Sequence, residues 1–373
     1  MLFSDVVGQD SIKSHLLSAA RSARVPHALL FAGAVGTGTL AMAIAFAQYL
    51  NCEKPGENDS CGECNSCNKY SKLIHPDLHF SYPVISADKN PGKSINYITE
   101  WREAVLANPY LSYQQWMMNI AQENKQGNIT QAECQDIINK LSFKTFEGKF
   151  KVLIMWMPEL LRETGNTLLK LIEEPPPDTL FILVANEREA ILQTILSRTQ
   201  SVLFPRLEDN EIKSALIHNY QIAAEEASTI AHMADGNYNA ALSALEETDN
   251  IQQEIFRDWM RKCLKINREL PDLMKTIDEL AALGREKQKG LISYGLYMIR
   301  SSVLNNHHAF DHSTVDEPES KFVNGFCKVI NDKNMFDLTQ HFNEAHYEIE
   351  RNCNAKITLL NLSLRCGELF ARN

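Results

Sequence analysis

The chain has 373 residues, enough for about two or three domains of ordinary size, with 44% hydrophobic and 23% charged residues as in soluble globular proteins. Its net charge of -10 argues against an autonomous nucleic-acid binder, which carries a basic surface. No apolar run approaches the roughly 18 residues of a membrane span, and the start Met1-Leu2-Phe3-Ser4-Asp5 lacks the basic end and apolar core of a signal peptide, so neither membrane insertion nor secretion is expected.

Residues 28–35, Ala-Leu-Leu-Phe-Ala-Gly-Ala-Val, are a short apolar run entering a glycine-rich turn, the pattern of a buried parallel strand. The Ala-rich segment Leu40 to Leu50 reads as a helix. Between them lies Gly33-Ala34-Val35-Gly36-Thr37-Gly38-Thr39-Leu40. Strand, glycine turn and helix are the frame of a phosphate loop, G-x-x-x-x-G-K-S/T. Gly33, Gly36, Gly38 and Thr39 are therefore the candidate nucleotide-contacting residues, since a helix N-terminus favours an anion. However, the Lys position is Thr39 and the Ser/Thr position is Leu40. That removes the cation for the β- and γ-phosphates and the hydroxyl ligand of Mg²⁺, so this chain is not expected to bind ATP.

Nine cysteines, an odd count in a chain with no secretory start, do not suggest a disulfide framework. Cys134, Cys263, Cys327, Cys353 and Cys366 are scattered singly and read as small buried hydrophobes. Cys52, Cys61, Cys64 and Cys67 instead fall within 16 residues, the last three in Cys-x2-Cys steps. Such steps bring thiolates to one side of a tight turn. Four of them close the shell of a structural Zn²⁺ at about 2.3 Å and leave no position for substrate.

Phe150 to Trp156 and Thr179 to Ala185 read as two further buried strands, with a helix over Glu163 to Glu174 that stops at Pro175-Pro176-Pro177. Alternating strands and helices imply an α/β fold with a parallel, Rossmann-like sheet. An NTPase of this type carries an acidic pair at the end of the second strand. Here that strand ends Met155-Trp156-Met157-Pro158-Glu159, with bulky apolar groups in those places. Arg162, Glu159 and Glu163 read as a solvated helix start. Arg188 to Leu196 reads as a helix. Residues 209–247 and 251–373 are helical by period, with breaks expected at Asp249 to Ile251 and near Pro271, and with a polar interruption over 305–320. His307, His308 and His312 in that interruption read as a solvated loop rather than a metal site.

Asn166-Thr167-Leu168-Leu169-Lys170-Leu171-Ile172-Glu173-Glu174-Pro175-Pro176, followed by Ile195-Leu196-Ser197-Arg198-Thr199, resembles the N-x-L-L-K-x-L-E-E-P-P … S-R-C signature of clamp-loader subunits of the AAA+ superfamily. Phe3-x-x-Val6-Val7-Gly8-Gln9, Val25-Pro26-His27-Ala28-Leu29-Leu30-Phe31 and His75-Pro76-Asp77 after the cysteines fit bacterial members. The resemblance covers about residues 1–245, with Thr199 in place of the signature's Cys. A glycine loop without its Lys beside a retained S-R arginine is most similar to the delta-prime subunits of DNA polymerase III. The gamma/tau motor keeps Lys, Thr and the acidic pair.

The resemblance implies an AAA+ domain over 1–208 with a zinc module (51–70) and an insertion at about 84–127, a helical lid over 209–250 and a helical collar domain over 251–373. In the lid, Asn239 stands where active members carry a phosphate-sensing Arg. The insertion's Trp101, Tyr110, Tyr113 and Trp116 read as local core. Arg198 is implied to reach in trans into a neighbour's ATP site, the alternative being a surface Arg paired with a nearby carboxylate. The implied partners are the gamma/tau motor and delta subunits, the sliding clamp and, through the complex, primer-template DNA, in a bacterial cytoplasm near the nucleoid and with no membrane. A non-catalytic subunit is expected. An ATPase motor with unconventional residues is the alternative. A zinc-bearing nucleic-acid module is weaker, because residues 53–70 hold only Lys54 and Lys69 as basic side chains.

Overall fold

The computed structural model describes residues 1–86, 92–120, 126–246, 251–307, 317–331, 333–351 and 353–371. They form two compact units, Met1–Tyr220 with Ala234–Ser243, and Gln221–Met233 with Ala244–Asn373.

The first unit is built on five parallel strands, β1 (Ala28–Ala32), β2 (Leu78–Ser81), β3 (Lys151–Trp156), β4 (Thr179–Ala185) and β5 (Gln200–Leu203), in the order β2-β3-β4-β1-β5. Every residue of β1, β3 and β4 is buried. Both sheet faces are covered, so these strands read as unbroken apolar runs instead of alternating ones. In register, Ala32 lies opposite Ala185, and Trp156 opposite Val184. The turns that follow β1 and β3 therefore open at the same end of the sheet. This is the α/β architecture of the AAA+ resemblance.

The unit's helices are α1 (Asp10–Arg21), α2 (Thr39–Asn51), α3 (Asn65–Tyr70), α4 (Ile98–Ala107), α5 (Tyr113–Ile120), α6 (Gln131–Ser142), α7 (Leu169–Glu173), α8 (Gln193–Leu196) and α9 (Asp209–Tyr220). The helix expected over 163–174 is shorter. A 3-10 helix occupies Pro158–Leu168, and only Leu169–Glu173 is α-helical. Gly165, Asn166 and Thr167 are poor α-helix formers, while Leu161 and Leu168 still reach the core. The helix expected over 188–196 likewise splits into a 3-10 turn, Arg188–Ala190, and α8. Glu159 is no solvated helix start. Its Oε1 accepts from the amides of Asn186 (2.6 Å) and Glu187 (2.9 Å), and burial holds its carboxyl above the usual range.

Within the insertion, Trp101 and Trp116 are fully buried, as expected of local core. Trp101 stacks on Tyr82 at 4.0 Å and meets Trp116 at 5.1 Å and Trp156 at 5.3 Å. The tryptophan at the end of β3 is thus part of the insertion's core. Trp101→Ala should remove these ring contacts and a fourth with Phe80 at 5.9 Å, and cost about 3–5 kcal/mol. The check is the denaturant midpoint of the full chain, which should fall well below that of the unmutated protein.

In the second unit, α10 (Ala224–Ala234) supplies Met233, and α12 (Ile251–Leu264), α13 (Ile266–Ala281), α14 (Arg285–Asn306), α15 (Glu317–Phe326), α16 (Met335–Glu350) and α17 (Ala355–Ala371) enclose a core around Phe256, Trp259, Met298 and Phe342. Helix α11 (Tyr238–Glu246) starts in the first unit. The break expected near Pro271 is absent, because α13 runs through it. Leu273, Ile277 and Leu280 beyond the proline are buried in the core, which offsets the roughly 3 kcal/mol cost of a proline inside a helix. Asp249, Asn250, His308 and His312 lie outside the described residues. Of the five scattered cysteines, Cys134, Cys263 and Cys366 are buried, but Cys353 is exposed and Cys327 half-buried, since they fall at a helix end and beyond one.

Candidate functional site

The four clustered cysteines come together. Their sulfurs all lie within 4.8 Å of one another, with Cys52 and Cys61 3.5 Å apart and Cys61 and Cys67 3.9 Å apart. A tetrahedral shell with metal–sulfur bonds of about 2.3 Å needs sulfurs about 3.8 Å apart, so these four could hold one metal ion. The amides of Cys61, Cys64 and Cys67 donate to the sulfurs of Cys52, Cys61 and Cys64 at 3.3–3.4 Å, and amide hydrogen bonds hold the Cys61 thiol down at about 7. Such bonds favour the thiolate that a metal requires.

The module is tied to the turn before β3. Asp77 accepts from the amides of Phe146, Glu147 and Gly148 at 2.6–2.9 Å. Lys69 at the end of α3 pairs with Glu147, and Asn51 bridges the Tyr70 hydroxyl to the backbone of Phe150. His75-Pro76-Asp77 is therefore a brace: the buried His75 ring packs at a tilt against Tyr70, 4.7 Å between centroids, and its Nε2 lies 3.4 Å from Glu147.

The glycine loop joins β1 to α2 at the carboxyl end of the sheet. Gly36 and Gly38 have φ of +80° and +89°, a left-handed conformation that glycine alone adopts freely. The space above the loop holds protein. A Cβ placed on Gly36 would lie 1.8 Å from Asn237 Oδ1, and the Tyr238 amide donates to the Gly36 carbonyl at 3.1 Å. A Cβ on Gly38 would meet the Tyr110 ring at 3.2 Å. Thr39 and Leu40 are buried. Gly33 packs against Phe204 and Thr37. At the end of β3, Met157 has φ +60° and accepts at Sδ from the Asn186 side chain. Asn239 is buried, and its Oδ1 accepts from the Asn108 side chain at 2.7 Å.

Arg198 follows α8, well away from the cysteines in sequence. Its Nε donates to Glu173 Oε2 at 3.0 Å, and its Nη1 donates to the Thr194 carbonyl at 2.9 Å and the Ser197 hydroxyl at 3.2 Å. The side chain is 31% exposed. The carboxylate pairing named as the alternative for this residue is therefore present, and it leaves the guanidinium at the surface.

Residues 8–208 match the family described as DNA polymerase III, delta subunit, over more than half of the chain. The chain belongs to this DNA polymerase III delta subunit family.

Among relatives of this delta-family chain, the DNA polymerase III subunit tau of Bacillus subtilis is 27% identical over 81% of the chain and 50% of its own length. The DNA polymerase III subunit delta' of the same organism is 25% identical over 69% of the chain and 64% of its own length. A DNA polymerase III gamma subunit-related protein of Thermotoga maritima, of known structure, is 14% identical over 95% of the chain and 99% of its own, with a TM-score of 0.42. The chain thus spans half of that tau subunit's length and 64% of that delta' subunit's, less than two thirds of either. No helix among the described residues is long and apolar enough to cross a membrane.

Three features escaped the sequence. Tyr110 was grouped with the local core, yet it reaches the glycine loop. Asn237 and Tyr238 were legible only as lid sequence. The acceptor role of Asp77 is not visible in His75-Pro76-Asp77 itself. All act through partners distant along the chain, such as Val7 and Tyr110, 103 residues apart. No local pattern announces such contacts.

Proposed function

We propose that this chain is a non-catalytic subunit of the DNA polymerase III clamp loader, of the delta-prime type, that donates Arg198 to a neighbouring subunit's ATP site. The observation that carries this reading is the filled space above the glycine loop, where Tyr110, Asn237 and Tyr238 stand against Gly36 and Gly38. Thr39 and Leu40 at the positions of the Lys and the Mg²⁺ ligand, and Trp156 and Met157 at those of the acidic pair, support it from the chemistry. The kinship with tau subunits extends over the same module but does not restore these groups, so the motor reading is the weaker one. The cysteine module holds structural Zn²⁺ in this reading. Its four-thiolate shell leaves no open position for catalysis.

The division into a sheet domain (1–208), lid (209–250) and collar (251–373) belongs to the same proposal. So do the partners: gamma/tau and delta subunits, the sliding clamp and primer-template DNA, within the bacterial cytoplasm. Glu173 and the α8 turn hold Arg198 at three points, which reduces the rotamer entropy it would lose on meeting phosphate oxygens.

The test is direct. The purified chain with Mg²⁺ and ATP should show no nucleotide binding by calorimetry and no hydrolysis. Turnover at about 1 s⁻¹ or faster, an ordinary enzymatic rate, in a preparation free of contaminating ATPase would overturn the reading.

A further inference from the structure

The turn between α4 and α5 does more than pack locally. The Val7 amide donates to the Tyr110 hydroxyl at 2.9 Å, in a buried bond between the chain's first residues and the insertion. The Tyr110 ring lies against Gly38 and meets the Tyr238 ring edge-on at 4.8 Å. Asn108 is bonded on both sides: its Oδ1 accepts from the Tyr110 amide at 2.9 Å and its Nδ2 donates to Asn239 at 2.7 Å. Asn237 Oδ1 presses on Gly36 and also accepts from the Ala240 amide, which caps the start of α11. Insertion and lid segment therefore meet each other across the glycine loop, and both meet the loop itself.

We infer that the Asn108–Tyr110 turn is a built-in occupant of the space above the glycine loop, which locks the Ala234–Ser243 segment onto the sheet in one arrangement at any nucleotide level. The physical reason is linkage. A diffusing nucleotide stabilises a closed lid only as the logarithm of one plus its concentration over its Kd. A tethered group acts at an effective concentration set by the chain, and it cannot leave. The glycines admit the occupant for the same reason that they would admit phosphate. With no Cβ at Gly36 or Gly38, another group can approach the backbone closely. The inference stands on these contacts alone and does not depend on what Arg198 does.

Amide hydrogen exchange on the full chain tests it. In the double variant Asn108→Ala with Tyr110→Ala, the Val7 and Tyr238 amides should exchange at least about tenfold faster, as for a local opening. The β3 and β4 amides should be unchanged. In the unmutated chain, Mg²⁺ with ATP should alter the exchange of none of these amides. Unchanged exchange at Tyr238 in the double variant, or ATP-dependent protection of the loop in the unmutated chain, overturns the inference. Should the double variant unfold as a whole, Tyr110→Phe decides. It should release Val7 while Tyr238 stays protected, and a Val7 amide still protected at its original level would count against the occupant.

Discussion

Cys64→Ser is expected to strip the metal from the Cys52–Cys67 module and to unfold that module locally. One residue of the four is lost, but three thiolates leave a tetrahedral ion open to water and competitors. For structural zinc in small domains the binding free energy, about 10–16 kcal/mol at neutral pH, is also the folding free energy. Beyond the metal, the segment is held by the Lys69–Glu147 pair, the Asn51–Tyr70 bond and the bonds of Asp59 and Ser60 to Phe3, Ser4 and Gln48, but it has little secondary structure of its own. Its only regular element is α3, six residues long, far below the roughly 12–15 that an isolated helix needs in water. Cys64 is also the N-cap of α3, accepting from the Cys67 amide, and serine would keep that role. The loss is therefore assigned to the metal and not to the cap. The unmutated chain should carry one zinc per molecule by metal analysis, and the variant less than about half. Exchange should quicken over residues 53–72 while β3 and β4 stay protected. A variant that retains one equivalent with undiminished affinity would show that the cysteines do not form the proposed shell.

Arg198→Ala is the second large effect, visible only in the assembled complex. The guanidinium is charged at every accessible pH and forks onto phosphate oxygens. An arginine supplied in trans can be worth roughly 10³–10⁵ in rate at the site it serves. One site among several would be affected, so total DNA-stimulated hydrolysis should fall partially, or almost completely where the sites fire in obligatory order. Clamp loading should fall with it. The complex itself should stay intact, since the substitution removes only one half-exposed side chain and its pair with Glu173. Glu173→Gln distinguishes the charge of the pair from its hydrogen bond, because the amide oxygen still accepts from Nε of Arg198 while the carboxylate charge is gone. Clamp loading at the unmutated rate by a complex carrying Arg198→Ala would leave Arg198 an ordinary surface residue.

What the sequence discloses of this molecule follows the range of the interactions. β3 and β4 are buried throughout and apolar after their first residues, Lys151 and Thr179, so their extent is legible to within a residue. The metal module is legible because successive ligands are separated by only 2–8 intervening residues. The 3-10 helix at Pro158–Leu168 is not, because its apolar residues fit an α period equally well, while Gly165 sits where a Cβ would meet Ile195 and Leu192 at 3.2 Å, a close approach that no local pattern announces. Pro271 misleads for the opposite reason, since tertiary burial overrides a local breaker. The filling of the glycine loop needs three segments at once, Val6–Gly8, Asn108–Tyr110 and Asn237–Asn239. The cations missing at Thr39 and Asn239 and the hydroxyl missing at Leu40 say what the loop has lost, but not what has taken its place.

The order of the strands also sets a sequence of events during synthesis. β1, all apolar, has β4 and β5 as its two neighbours. It leaves the ribosome as residues 28–32, yet its partners arrive only at residues 179–185 and 200–203. At about 5–20 residues per second, this interior strand waits on the order of ten seconds with both edges unpaired. Neither β2 nor β3, made in the interval, can shield it by pairing. The nascent chain therefore passes through a long window in which a sticky segment is exposed, and in that window it depends on α2 folding back over the strand or on a chaperone until the last strand arrives.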